Sequence, residues 1–249
     1  MSHSRPLLAL TAAAVATVVT LGTTGVATGS VAAPPPAVTV RQAPSDQLPT
    51  AEQLTAALLT AEELGPDFTE IPAGATRSPQ DGASPVAGCD ALRALLNRRE
   101  GGPSPQQPHQ EVEFDGPDGN PMVTESLTAE DSAKLTSDFA VVTDAFATCH
   151  QLTFTDGVGT TVTFTVTPMT LGDRPEAPAV RLDGDLAGTP LNGYLAIERF
   201  GPTAMSYGFF QSGSGDSQLA SLYYRAAVSK AEHTLGTPAG TTTAPASTV

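Results

Sequence analysis

The chain has 249 residues, with 12 Lys and Arg against 26 Asp and Glu and a formal net charge of −14. A surface this acidic, with no basic stripe along the sequence, repels phosphate backbones and excludes nucleic acid and anionic lipid as partners. The absence of tryptophan and an aromatic content of 5% also argue against a sugar-stacking groove.

Residues 1–32 read as a secretory signal peptide. Met1 to Val40 carries one charged residue, Arg5, and an uncharged run starts at Leu7 and leads to small residues at Ala27, Ala32 and Ala33. The Ala, Thr and Gly content of that run makes a poor spanning helix. Cleavage is therefore expected, leaving a secreted, extracellular chain with no membrane span. The alternative is an uncleaved N-terminal signal anchor, since the run is long enough to reach across a bilayer. No Cys directly follows the apolar run, which excludes a lipoprotein, and no twin-Arg pair precedes it. Residues 33–49 are rich in Pro, Ala and Val and form an extended spacer. Residues 50–235 are one domain's worth of chain, and residues 236–249 lack charge and large apolar groups, as a disordered tail does.

Within the domain the apolar period alternates between helical and extended. Thr50 caps a first helix, with Glu52 in its opening turn and Leu54, Leu58 and Leu59 on one face. A second helix starts near Cys89 and spaces Cys89, Leu92, Leu95 and Leu96 helically. Glu111–Phe114 and Met122–Leu127, joined by the turn 115–120, form a hairpin. The third helix is expected to be capped by Thr128, with Glu130 and Asp131 in its first turn and the stripe Leu135, Phe139, Val142, Phe146, Cys149 facing the core. Four strands follow, at Thr161–Pro168, Ala179–Leu186, Gly193–Arg199 and Ala204–Phe210. The last helix runs from Asp216 to Leu235, turns Leu219, Leu222, Tyr223, Ala226 and Ala227 inward, and stops at Gly236. Short hairpin links make the sheet antiparallel. The fold class is α+β: about six antiparallel strands with packed helices, in the order α-α-ββ-α-ββββ-α.

Cys89 and Cys149 are the two cysteines, and an even count in an exported chain predicts a disulfide. Metal ligation is the alternative, but His150 is the one nearby histidine and no CxxC or HxxxH spacing exists. No metal and no cofactor are expected. Each cysteine lies on the apolar stripe of its own helix, so the bridge joins two packed helices.

Catalytic templates find little support. No P-loop or dinucleotide spacing occurs. Gly213-Ser214-Gly215-Asp216-Ser217 does not match a nucleophile elbow, and Asp216 reads better as the cap of the last helix. His109 falls in a Pro/Gln loop, while His150 and His233 sit near helix ends, where a cation suits the dipole. The acid pairs Glu111/Glu113 and Asp183/Asp185 each share a strand face, as solvated outer faces of an acidic protein do. The chain is read as a non-enzyme.

Leu58–Thr69 (LLTAEELGPDFT) followed by Ile71-Pro72 resembles the opening of the actinobacterial PknH-like extracellular sensor domains. Cys89 before a Leu-rich helix, the helix ending in Cys149, Leu171-Gly172-Asp173, Arg199-Phe200-Gly201 and the closing helix recur in the same order. The resemblance implies a helix-and-antiparallel-sheet fold and a domain that binds an unknown ligand in a cleft. This chain has no kinase domain and can form one disulfide where the kinase sensor has two. No family ligand-contact residues can be carried over, so Tyr194, Tyr207 and Phe210, on one expected sheet face, are the candidate ligand lining. The expected function is a secreted sensor-like module that binds a small apolar or amphipathic molecule. The alternative is a module that docks on another exported protein.

Overall fold

The computed structural model describes residues 48–71, 86–90, 107–155 and 161–242. Residues 1–32 and the expected second-helix positions Leu92, Leu95 and Leu96 lie outside them.

Helix α1 (Ala51–Ala57) starts in a capping box: the Thr50 hydroxyl accepts from the Gln53 N–H, and the Gln53 side chain accepts from the Thr50 N–H at 2.8 Å. It ends sooner than expected, because Leu58 is already extended. Leu59 follows it in a connector to the one-turn helix α2 (Ala61–Leu64). Leu54, Leu58, Leu59 and Leu64 are all buried, so the leucine face survives on a broken backbone.

The strands are β1 (Thr69–Ile71), β2 (Val86–Ala87), β3 (His109–Asp115), β4 (Met122–Ala129), β5 (Gln151–Thr155), β6 (Thr161–Met169), β7 (Ala179–Leu186), β8 (Thr189–Phe200) and β9 (Thr203–Ser212). They form one antiparallel sheet in the order β1-β3-β4-β9-β8-β7-β6-β5-β2. The expected six strands are therefore too few among the described residues. Short β1 and β2 are edge strands, and β5 follows the third helix without a loop long enough to announce it.

Helix α3 (Ser132–Thr148) is capped by Asp131, whose carboxylate accepts from the Ala133 and Lys134 N–H groups, not by Thr128. Thr128 is held in the sheet between its partners His109 and Ala204. Leu135, Val142, Ala145 and Phe146 are the buried residues of the helix. Cys149 is its C-cap and forms the disulfide to Cys89, with Cα atoms 5.7 Å apart.

Helix α4 (Ser217–Leu235) is capped by Asp216 and stopped by Gly236 at φ 65°, a left-handed position that suits glycine. Its buried face overlaps the expected one: Ala227 is buried, and Leu219, Tyr223 and Ala226 pack half-buried against the core. Ala220, Tyr224, Ala227 and Ala231 point inward, whereas Leu222 is 52% exposed. Three alanines bring the helix axis close to the sheet, and the Tyr207 hydroxyl donates to the Ala220 carbonyl at 3.1 Å. Residues 237–242, placed by sequence in the tail, fold back on β8: Gly240 N–H bonds the Arg199 carbonyl and Gly201 N–H the Thr241 carbonyl.

The apolar side of the sheet changes face from one half to the other. Phe114, Val123, Leu127, Met205, Tyr207 and Phe209 of β3, β4 and β9 pack in one core with α1, α2 and α4. Leu152, Phe164, Val166, Val180 and Leu182 of β5 to β7 pack in a second core with α3 and Cys89. β8 lies between and serves both: Tyr194 and Ala196 belong to the first, Leu195 and Ile197 to the second. Among the described residues, that switch leaves the threonine-rich side of β5 and β6 without a helix packed on it.

Candidate functional site

Strict alternation on β5 and β6 puts apolar side chains in the second core and threonines on the other side. Thr153 and Thr155 of β5 face Thr163 and Thr161 of β6, with hydroxyls 3.0 and 3.2 Å apart. Thr163, Thr165 and Thr167 are exposed. β-branched threonine suits the pleated backbone while keeping a polar group in water. The register continues this face across the sheet: Thr167 pairs with Arg181 and Arg181 with Tyr194, while Thr165 pairs with Asp183 and Asp183 with Asn192.

At β8 the polar face meets the N-terminal end of α4, and the side chains become ordered by contact. Arg181 Nε and Nη2 both donate to one Asp183 oxygen, at 2.8 and 2.6 Å, and Nη2 lies 3.4 Å from the Asn192 side-chain oxygen Oδ1. The hydrogen bond to Asp183 is the main reason the Arg181 pKa is raised. Asn192 is buried, and its amide donates to the Gly213 carbonyl at 2.6 Å. Gly215 presses against this group: a Cβ there would lie 2.9 Å from both the Asn192 side chain and the Tyr194 hydroxyl. The Gly213–Gly215 loop thus needs its small residue to close on β8.

Tyr194 forms the floor. Its ring is 1% exposed and packs edge-on against Phe209, with centroids 5.9 Å apart. Its hydroxyl makes no hydrogen bond among the described residues. Burial raises its phenol pKa; Arg181 pulls against that and Asp183 and Asp216 add to it, so the hydroxyl stays a neutral donor. The cluster offers a phenol donor, a guanidinium edge, a carboxylate and, alongside, a row of threonine hydroxyls that both donate and accept. Such a set recognises hydroxyl and carbonyl groups. Two nearby aspartates against one arginine make it unattractive to anions.

The three candidate lining residues do not converge. Tyr194 and Tyr207 share one face of the sheet, but Tyr207 lies beneath α4, where burial holds its pKa well above the ordinary value. Phe210 is half-buried on the opposite face, beside the second core. Arg181 and Asn192 were not among the candidates; a buried-strand asparagine between Leu191 and Gly193 is the signal that marks the second. Asp183 was weighed only as half of an acid pair with Asp185, whose carboxylate instead accepts from Gly188 N–H in the β7–β8 turn.

The histidines are dispersed. His109 begins β3 rather than sitting in a loop, with Nδ1 2.8 Å from the Thr128 hydroxyl and Nε2 3.4 Å from Glu111. His150 and His233 are exposed.

The fold resembles a known one. The crystal structure of the extracellular domain of PknH from Mycobacterium tuberculosis superposes with a TM-score of 0.54 at 14% identity, over 76% of this chain and 98% of that one. At that identity the likeness is one of fold. No protein-family model matches the chain, and no curated protein matches it. Among the described residues, no helix is long and apolar enough to cross a membrane.

Proposed function

We propose that this chain is an exported, non-catalytic binding module that captures a small molecule on the polar face of β5 to β8, next to the N-terminal end of α4. The observation that carries the reading is the Tyr194 hydroxyl, a donor without a partner on a residue 1% exposed. The hydroxyl is not among the wholly buried unpaired atoms of the described residues, so it is open to solvent, and a ligand oxygen placed at Arg181, Asn192 and Tyr194 would accept from it in place of water. The ligand we favour is hydroxyl-rich or amphipathic, with its polar head on this cluster. The signal-peptide pattern supports export. The fold likeness to an extracellular domain of a kinase supports a sensor-like role.

Docking on another exported protein is the second reading, and the exposed row Thr163, Thr165 and Thr167 is the observation that favours it, since a flat polar face suits a polar partner. Native mass spectrometry of the chain purified from culture medium tests the two together. A small-molecule adduct lost in a Tyr194→Phe variant supports capture. A stoichiometric protein complex that survives Tyr194→Phe but not a Thr163→Lys, Thr165→Lys double variant supports docking and sets the first reading aside.

A further inference from the structure

Glu125 is a carboxylate in the wrong solvent. It lies in the middle of β4 on the face that packs beneath α1, α2 and α4, and is 1% exposed. Its sheet neighbours are Val112 on β3 and Tyr207 on β9. One oxygen accepts the Leu59 N–H at 2.8 Å, from the connector between α1 and α2. The other oxygen is buried and has no hydrogen-bond partner.

The charged groups around it do not neutralise it. Lys230 of α4 is the near cation, but its ammonium is bound 2.7 Å from Glu63 of α2. Partial burial raises Glu63, yet the Lys230 ammonium and the Thr60 N–H outweigh it and hold that carboxyl below its ordinary value, so it is ionised beside Glu125. Tyr207 gives its hydroxyl proton to the Ala220 carbonyl rather than to Glu125, and Tyr223 of α4 is a neutral phenol whose pKa burial raises. β3 contributes Gln110, Val112 and Phe114 to this face, none of them charged, and α1 contributes the apolar Leu54 and Ala57.

We propose that Glu125 is a pH-responsive latch that holds the α1–α2 strap on the sheet while it is protonated and loosens the strap when it ionises. The protonated acid keeps the Leu59 bond through its carbonyl oxygen and carries no charge into the core. The ionised form keeps the same single bond but must hold a full charge on two oxygens, one of them unsolvated. Lifting the connector at Leu58–Leu59, which holds the other oxygen, would admit water to the carboxylate and uncover Leu54 and Leu64. Burial, the first cause, pushes the Glu125 pKa up to about 7; the Leu59 N–H and Lys230 pull it down and Glu63 adds to the rise. The latch therefore works around neutral pH rather than in acid.

The test is hydrogen exchange with mass readout on the full chain, comparing the 51–64 segment with β6 to β8 at pH 5.5 and pH 8.5 after correction for intrinsic exchange. Wild type is expected to lose at least about tenfold of its strap protection across that range, while Glu125→Gln holds it constant because the amide does not titrate. An equal pH response in wild type and Glu125→Gln, or a strap equally protected at both values in wild type, overturns the proposal. Carbon-13 glutamate NMR of the wild type keeps the test independent of how the variant folds. One carboxyl titrating near pH 7 supports the latch, and all glutamates titrating below about pH 5 overturn it.

Discussion

The two halves of the sheet are stabilised by different means. The half under α4 encloses an aromatic core and two buried carboxylates, Glu125 and Glu198. The half under α3 encloses aliphatic and phenylalanine side chains closed off by the Cys89–Cys149 bridge. Within the first half the carboxylates themselves differ. Glu198 accepts from Arg174 Nε at 2.9 Å, from the Tyr224 hydroxyl and from the Arg199 N–H, whereas Glu125 has the Leu59 N–H alone. A buried charge is tolerated where its oxygens are occupied and becomes a pH sensor where they are not. One half should thus respond to reductant and the other to pH.

The sharpest way to break that contrast is to cut the bridge. Cys89→Ala with Cys149→Ala should cost about 4 kcal/mol, the entropy of releasing a closed loop spanning a sequence separation of 60, as measured by urea denaturation. A loss under 1 kcal/mol would mean that the α3 half is held by packing alone. Next in size, Arg174→Met leaves Glu198 short of its cation. Arg174 is partly exposed, so the expected cost is about 2–3 kcal/mol at pH 7, less than for a fully buried pair.

Glu125→Gln should act in the opposite sense. The folded pKa of about 7 lies above the ordinary value of 4.5. The stability this group contributes is therefore full below pH 4.5 and is lost progressively as the pH rises through about 7. Relative to the variant, wild type should lose about 3 kcal/mol between pH 4.5 and pH 8. Parallel stability curves for the two proteins would remove Glu125 from the contrast. Smallest of all, Thr163→Val and Thr165→Val should change stability by less than about 0.5 kcal/mol, because both side chains are exposed and the Thr153 hydroxyl that meets Thr163 can turn to water instead. A large loss by thermal melting would show that something covers that face.

What was readable in the sequence follows the range of the interactions. The threonine alternation of β6 is a local pattern, and it located the open face within one residue. Asp216 as a helix cap was legible for the same reason, and the bridge, at a separation of 60, was legible because the chain has two cysteines to pair. On α4 Leu222 was the misplaced residue, because leucines outweigh alanines in any hydrophobic count; Ala220 and Ala231 join the expected Ala227 in allowing the helix close to the sheet. Thr128 looked like a cap until its ladder partners on β3 and β9 were in place. Arg181, Asn192 and Tyr194 come from β7 and β8 and are joined by register, while Gly215 arrives from beyond β9; no spacing within one segment encodes that meeting. Glu125 was silent too, since a glutamate between Thr124 and Ser126 reads as a solvated position.

The central claim is that the cluster at Tyr194 binds a ligand, and replacing its hydroxyl tests it most directly. Amide NMR of the full chain and of Tyr194→Phe, titrated with glucose, myo-inositol, glycerol and neutral amino acids, gives location and affinity together. The account expects shifts at Thr165, Arg181, Asn192 and Gly215 for at least one hydroxyl-rich probe. It also expects an affinity at least about fivefold weaker in Tyr194→Phe, the worth of one hydrogen bond, with stability unchanged or slightly higher. Shifts elsewhere on the sheet, or equal affinity in the two proteins, would contradict it.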